Sequence, residues 1–410
     1  MSVEIRTVER SELGAWHGAL EVGFHQASPE PDRAESFVEA FAEEVEWPRI
    51  QGAYDDGRVV ATFRSFPTRL TVPGGEVAAD AITNVTVSPT HRRRGLLSRM
   101  MADDLAAAVE RGEAVAILIA SEWPIYGRYG FGPATDVVTY EIDALSAGYA
   151  HGGDGETRLV APDELASAAP AVYEAHRRST PGAIERPERW WRRRAGLDAA
   201  RSDVPGTQRC VLAVGEDGAP TGLLVYHVEQ SWQDWRPRAK LHVRDLFGTT
   251  PAAAARLWRF TCEVDLVAMV RAEERGLDEP LPWLLRDARA VRQRLRTDFL
   301  WARVLDVPAA LAARRYPAEG EVVLDVRDPA GFAAGRFALR GGPDGATCEP
   351  TAAAPDVALD VGALSAAYLG GRSLLVLAAA GWADEVRPGA LGRLDAMLRS
   401  PVAPWCATMF

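Results

Sequence analysis

The first apolar pattern along the chain is a short alternation over 3–8, which predicts a strand. After Ser11, an N-cap candidate, Leu13, Trp16, Leu20 and Phe24 are spaced for one face of a helix. A second helix is expected over 33–46, with Phe37, Val38, Phe41 and Val45 as its apolar stripe. Glu35, Glu39, Glu43 and Glu46 recur on its other side as a solvated face or, on the sharper reading, a cation-attracting wall. The period then changes. Segments 58–66, 69–72 and 76–87 read as strands, with Pro73-Gly74-Gly75 as the turn between the last two. A helix fits 95–111, ended by Gly112, and Val115 to Ala120 is an almost unbroken apolar strand of the kind buried on both faces. Strand, helices, antiparallel strands, helix and buried strand make an α/β pattern.

Residues 146–158, rich in Gly, Ala and polar side chains, read as a linker. A second α/β unit is expected beyond it: a helix near 163–178, strands at 209–215, 220–229 and 239–247, and a helix from Pro251 to about 275. The last third reads as strands at 298–306, 320–327, 334–340, 346–350 and 356–360, then short helices around 362–369, 373–380 and 388–399. The final residues, Trp405 to Phe410, are apolar and suggest a docked C-terminus. A chain of 410 residues exceeds one ordinary core. We divide it into 1–150, 151–290 and 291–410.

Charge narrows the partners. With 57 acidic and 46 basic side chains the formal net charge is −11, a field that repels nucleic acid and attracts cations, amine-rich small molecules among them. Acidity of this size also serves plain solubility. No apolar run approaches the roughly 20 residues of a membrane helix, and Glu4, Arg6, Glu9 and Arg10 interrupt the opening, so a cytoplasmic protein is expected. Cys210, Cys262, Cys348 and Cys406 are scattered, which predicts neither a disulfide framework nor a metal site. The run Arg192-Arg193-Arg194 reads as a solvated or salt-bridged helix face, and His91 as a local contact.

The chemistry concentrates in Ile82-Thr83-Asn84-Val85-Thr86-Val87-Ser88-Pro89-Thr90-His91-Arg92-Arg93-Arg94-Gly95-Leu96-Leu97. A strand ends at Val87 and a basic loop opens a helix at Gly95. A helix N-terminus offers unpaired N–H groups and the positive end of a dipole, and Gly95 lets the backbone approach closely, so the loop suits a diphosphate. It is neither Gly-x-x-x-x-Gly-Lys nor Gly-x-Gly-x-x-Gly. Arg92-x-x-Gly95 after a strand resembles the pyrophosphate loop of the Gcn5-related N-acetyltransferases (GNAT), although Leu97 stands where that family usually has a small residue. Tyr126-x-x-x-Gly130-Phe131, which follows the apolar strand, resembles the segment closing their acetyl-CoA site.

These motifs, with Asp356-Val-Ala-Leu-Asp-Val-Gly-Ala-Leu-Ser-Ala-Ala-Tyr-Leu-Gly-Gly-Arg372, are similar to the Eis (enhanced intracellular survival) acetyltransferases of actinobacteria over nearly the whole chain. The resemblance implies an α/β (α+β) protein: two tandem GNAT folds, only the first catalytic, then a sterol-carrier-like α+β domain, assembled as a hexamer. It implies acetyl-CoA as co-substrate and no metal. Val85, Thr86 and Val87 would hold the pantetheine; Arg93, Arg94, Gly95, Leu96, Leu97 and Ser98 would grip the pyrophosphate; Ser121 and Glu122 would border the pantetheine arm. It also implies Tyr126 as general acid and the carboxylate of Phe410 as general base. The expected substrate is a cationic small molecule bearing primary amines, aminoglycoside- or polyamine-like. A protein lysine or peptide N-terminus is the alternative acceptor, and lipid binding by the last domain the non-enzymatic one. Gln26 and Met409 supply no carboxylate side chain to the pocket.

Overall fold

A computed structural model of the chain describes residues 3–26, 31–153, 155–198 and 208–410. Two compact units account for them. One gathers the chain up to Ala134, Leu300–Ser400 and the terminal Phe410; the other holds Thr135–Phe299 and Pro401–Met409.

The first unit is built on a seven-stranded sheet. Its leading strands are β1 (Glu4–Thr7), β2 (Ile50–Asp55), β3 (Arg58–Val72), β4 (Gly75–Val87) and β5 (Val115–Ile119). They lie in that order, followed by the strand Leu300–Val304 and the short edge Gly132–Pro133. β1 to β4 are antiparallel neighbours, whereas β4 and β5 run parallel. Three helices belong with these strands: α1 (Leu13–Gly23), α2 (Pro31–Ala42) and α3 (Leu96–Glu110). Leu13, Trp16 and Leu20 of α1 pack with Phe41 and Ile50, while Met100, Met101 and Leu105 of α3 are buried with Phe63, Leu118 and Trp301.

Local chemistry moved several expected boundaries. Ser11 does not cap α1: it lies in a 3-10 turn over Arg10–Glu12, where the Glu12 carboxylate accepts from the Glu9 N–H at 3.0 Å. β3 runs on through Pro67, because its ladder with β4 continues on both sides of that one missing N–H. α2 stops at Ala42; Glu39, Glu43 and Glu46 are exposed, and the side chain of Glu35 lies outside the described residues.

Between α3 and the sheet sits a buried charge cluster. Arg49 donates to Asp80 at 2.8 Å and to Glu113 at 2.5 Å, and Arg111 reaches the same two carboxylates at 3.3 and 3.0 Å. Ser65 donates to Asp104 at 2.8 Å. Burial first, and the neighbouring Asp104 second, hold the Asp80 carboxyl well above the usual carboxylate range; burial also raises Asp104. Both shifts favour the protonated form, which lessens the excess of three carboxyls over two guanidiniums.

The second unit repeats the plan. Its sheet runs Glu156–Val160, Arg209–Val214, Pro220–Glu229, Ala239–Gly248, Val267–Arg275, Asp136–Asp143 and Val291–Asp298. Ala239–Gly248 and Val267–Arg275 are the parallel pair, joined by the helix Pro251–Glu263. The single helix expected from Pro251 to about 275 is therefore a helix and a strand. Leu266 turns the chain at φ +69°, and Val267, Val270 and Ala272 then enter the core. Residues 136–143 and 300–304 explain the division of the chain. Each is the sixth strand of its sheet, the first leaving for the second unit and the other returning to the first. The chain thus crosses at Ala134–Thr135 and Phe299–Leu300, whereas composition alone draws its lines at 150 and 290. Arg194, from the basic run, is ion-paired with Asp245 at 2.9 Å.

The last third belongs to the first unit. Its five-stranded sheet is ordered Gly345–Pro350, Gly335–Gly342, Gly320–Arg327, Val357–Asp360 and Ala383–Glu385. The helix Val361–Ala367 ties it to the larger sheet, with the Ser365 hydroxyl accepting from the Val304 N–H at 3.0 Å. The following strap, Pro401–Met409, docks on the second unit: the Trp405 N–H donates to Pro181 O at 2.7 Å, its indole donates to Glu274 O at 2.7 Å, and Arg186 donates to the Thr408 hydroxyl at 2.7 Å. Among the described residues no helix is long and apolar enough to cross a membrane.

The raised carboxyls make a test. A carboxyl pair whose folded pKa is raised contributes most to stability in acid and loses that contribution as pH climbs through the raised value. Asp104→Asn removes one of these titrating carboxyls, so its melting temperature relative to the parent should rise as pH climbs above the ordinary carboxylate value of about 4. A pH-independent difference would mean that the Asp104 carboxyl is not raised.

Candidate active site

The site begins with a fault in β4. Thr62 pairs with Thr86 and Arg64 with Thr83, so Asn84 and Val85 together oppose Phe63. This is a bulge, and Asn84 takes φ +55° to form it. The Thr62 hydroxyl fixes the bulge by donating to the Asn84 carbonyl at 2.8 Å, which leaves it to accept from Thr86 at 2.7 Å. Beyond the bulge β4 has left β5. Their parallel ladder covers only Ala79–Ala81 against Val115–Ile117, and the end of β5 pairs on its other side with Leu300 and Trp301. The β5-facing edge of Val85, Thr86 and Val87 is then available to an extended ligand bearing amide groups.

The loop after β4 is strained toward the same opening. Arg93 has φ +63° and Gly95, the N-cap of α3, has φ +74°. No side chain caps α3, so its first N–H groups and dipole face outward. His91 is a local contact: its ring bonds Thr90 at 2.8 Å and Asp55 at 2.9 Å. Across the opening β5 leads through exposed Ser121 and Glu122 into α4 (Trp123–Tyr126).

A cleft of about 770 Å³ fills the space. Val85, Thr86, Val87, Arg93, Gly95, Leu96, Leu97, Ser98, Ser121, Glu122 and Tyr126 all line it. Arg94 does not; its guanidinium is 3.5 Å from the Thr90 carbonyl, and Arg92 lines the cleft with Arg93. Phe410 is not part of this lining. Its ring meets Phe66 of β3 edge-on, centroids 5.6 Å apart. Sequence reasoning missed Gly23, Phe24 and His25 at the end of α1, and Tyr129, whose hydroxyl lies 3.0 Å from Ser98. Phe24 carried a signal: it falls at the frayed end of the apolar stripe and is 41% exposed, unlike Leu13 and Trp16.

Tyr126 is 8% exposed and packs edge-on to Phe131 at 6.2 Å. Burial, with smaller effects of Tyr129 and Glu122, pushes its phenol up to about 12. It therefore stays protonated across the physiological range and can give a proton but not take one as a base.

A narrow cleft with a free strand edge on one wall and an arginine-flanked helix start on the other fits a pantetheine arm and its diphosphate. Comparison with known proteins agrees. Profiles of the acetyltransferase (GNAT) domain match residues 4–134 and 182–312, and a sterol carrier protein profile matches 307–407. The N-acetyltransferase Eis of Mycobacterium tuberculosis is 38% identical over 362 residues, 86% of each chain. The chain belongs to the Eis family of N-acetyltransferases. An uncharacterized N-acetyltransferase of Streptomyces avermitilis is 45% identical over 423 residues, covering 100% of this chain and 99% of its own. The crystal structure of Eis1 from Mycobacterium abscessus matches with a TM-score of 0.85 at 32% identity, over 99% of this chain and 100% of that one. This Eis-family enzyme has two GNAT domains and a sterol-carrier-like domain, as its motifs imply, and GNAT acetyltransferases use acetyl-CoA.

Its second GNAT domain presents a different helix start. The helix Pro251–Glu263 is capped by the Thr250 hydroxyl, which accepts from the Ala253 N–H at 3.2 Å, and no arginine precedes it in the turn after Gly248.

Charge reversal at Arg92 or Arg93 should weaken acetyl-CoA binding by roughly 10- to 100-fold, the worth of one charge-assisted hydrogen bond. The same change at Arg94 should cost much less. Calorimetric titration of the three variants decides this, and a dominant loss at Arg94 would reverse the assignment.

Proposed function

We propose that this enzyme transfers the acetyl group of acetyl-CoA to primary amines of a cationic small molecule, aminoglycoside- or polyamine-like, in the cleft of its first GNAT domain. The supporting observation is convergence: the free edge of β4, the uncapped start of α3 and the buried phenol of Tyr126 line one cleft. The net charge of −11 suits a cationic acceptor. In this reading the domains 1–150, 151–290 and 291–410 are catalytic, non-catalytic and carboxylate-delivering. The protein works in the cytoplasm as a homo-oligomer, a hexamer by family likeness.

The acceptor must arrive as a neutral amine. As its nitrogen joins the thioester carbonyl carbon it becomes far more acidic, so even an α-carboxylate, with an ordinary pKa of about 3.3–3.7, can take the second proton directly or through a water. The carboxylate of Phe410 is assigned that role, supported by the contact of its ring with Phe66 in the same unit. N–H groups at Val85 to Val87 stabilise the carbonyl oxygen as it gains charge. The C–S bond then breaks and CoA leaves as a thiolate. Moving the Tyr126 proton fully onto a thiolate, whose thiol has a pKa near 8.5, is uphill by roughly 5 kcal/mol from a phenol near 12. Tyr126 therefore begins as a hydrogen-bond donor to the sulfur; its proton passes over as CoA departs, and the phenolate is reprotonated through solvent, which in turn receives the proton the Phe410 carboxylate took from the amine.

Tyr126→Phe should lower kcat by about 10²- to 10⁴-fold with the fold intact. In the parent, kcat/KM should show no alkaline loss between about pH 9 and pH 10.5, because the raised phenol is still protonated there; half the activity lost near pH 10 would place an ordinary tyrosine in the role.

A short C-terminal extension turns the Phe410 carboxylate into an amide. Acetylation of a polyamine should then fall sharply while acetyl-CoA binding persists, and Phe410→Leu should cost far less. Full turnover of the extended protein would move the base elsewhere.

A further inference from the structure

The segment carrying Tyr126 has little secondary structure of its own to hold it. α4 is four residues long and continues as a 3-10 turn, Gly127–Tyr129, which ends at Gly130 with φ +84°. Elements this short have no cooperativity of their own and keep their shape only through outside contacts. Beside its packing against Trp301 and its contact with Ser98, one outside contact comes from far along the chain. Arg303, on the strand Leu300–Val304 and fully buried, donates from Nε to the Tyr129 carbonyl at 2.8 Å. Its Nη1 donates to the Val304 carbonyl at 2.5 Å, and its Nη2 meets the Asp328 carboxylate at 2.6 Å. Asp328, 1% exposed, is held in turn by the N–H groups of Ala330 at 3.1 Å and Ala333 at 2.8 Å. A Cβ on Gly130 would lie 2.5 Å from Arg303 Nε, so the turn is pressed directly on the guanidinium.

Asp328 lies in the part that matches sterol carrier proteins, and nothing in the acetyl-transfer reading requires it. We propose that Asp328, acting through Arg303, is a positioning residue for Tyr126: it orients the guanidinium, which fixes the Tyr129 carbonyl and with it the turn that sets the phenol in the cleft. The sterol-carrier-like domain then contributes to chemistry in the first GNAT domain through a buried ion pair. The inference rests on Tyr126 being the group that donates to the leaving sulfur.

A double-mutant cycle tests it. Arg303→Lys keeps the buried charge and its partner Asp328 but cannot span the Tyr129 and Val304 carbonyls as a planar fork. It should lower kcat roughly tenfold or more, leave KM for acetyl-CoA within about twofold, and cost nothing further when Tyr126 is already Phe. Arg314→Lys is the matched control. Arg314 is buried in the same part and donates to Tyr368 O and Leu398 O, away from the turn, so it should lower the melting temperature and spare kcat. Should Arg303→Lys fail to fold, the charge-neutral double change Arg303→Met with Asp328→Asn enters the same cycle with the same expectation. If the kcat loss persists undiminished in the Tyr126→Phe background, or if Arg314→Lys loses kcat equally, the positioning role is overturned while the tyrosine assignment stands. A Tyr126→Phe enzyme with nearly full activity would remove both.

Discussion

The cleft-bearing half of this protein depends on two parallel strands that part company. β4 and β5 share a ladder over Ala79–Ala81 alone, and from there the Asn84 bulge turns one away while Leu300–Val304 holds the other. Parting leaves backbone donors without a partner inside a sheet, which is costly unless a ligand or water meets them. The cleft is the consequence. α3 starts at its mouth because β4 ends there, and the uncapped turn at Gly95 presents the helix dipole to the same space.

Holding such an opening requires rigidity elsewhere. Under α3, Arg49 and Arg111 bind Asp80 and Glu113, with Asp104 and Ser65 alongside, so the helix, β3, β4 and the segment before β2 are cross-linked by charge. Removing one member would leave a buried charge unpaired, which costs several kcal/mol by general experience. The second GNAT domain has the same strand order and a parallel pair of its own, yet its helix is closed by Thr250. One hydroxyl at a cap position separates a helix start that can take an anion from one that satisfies itself.

Much of the site was legible because its chemistry is local. A strand, three arginines, a glycine and a helix within sixteen residues make a loop suited to a diphosphate, and this much can be read from spacing. Features that rest on long-range pairing were not. No pattern in Asp136–Asp143 tells that it will serve the second sheet, or in Leu300–Val304 that it will return to the first. The turn at Leu266 escaped because the apolar residues around it fit a helix as well as a strand, and only pairing with Ala239–Val243 chooses. Arg92 and Arg94 are equal in sequence, and only the folded loop puts Arg92 on the cleft wall and leaves Arg94 off it. Arg303 and Asp328 bear on the Tyr126 turn from far along the chain, and nothing near either residue announces it.

The central claim is that the first GNAT domain alone presents an open donor site, at the β4 edge and the start of α3. Amide hydrogen exchange with and without acetyl-CoA measures it directly. Bound acetyl-CoA should slow exchange at Val85–Val87 and at 93–98, and leave the turn and helix start at 248–254 unchanged. Protection at 248–254 without protection at 85–87 and 93–98 would place the donor in the second domain and contradict the account.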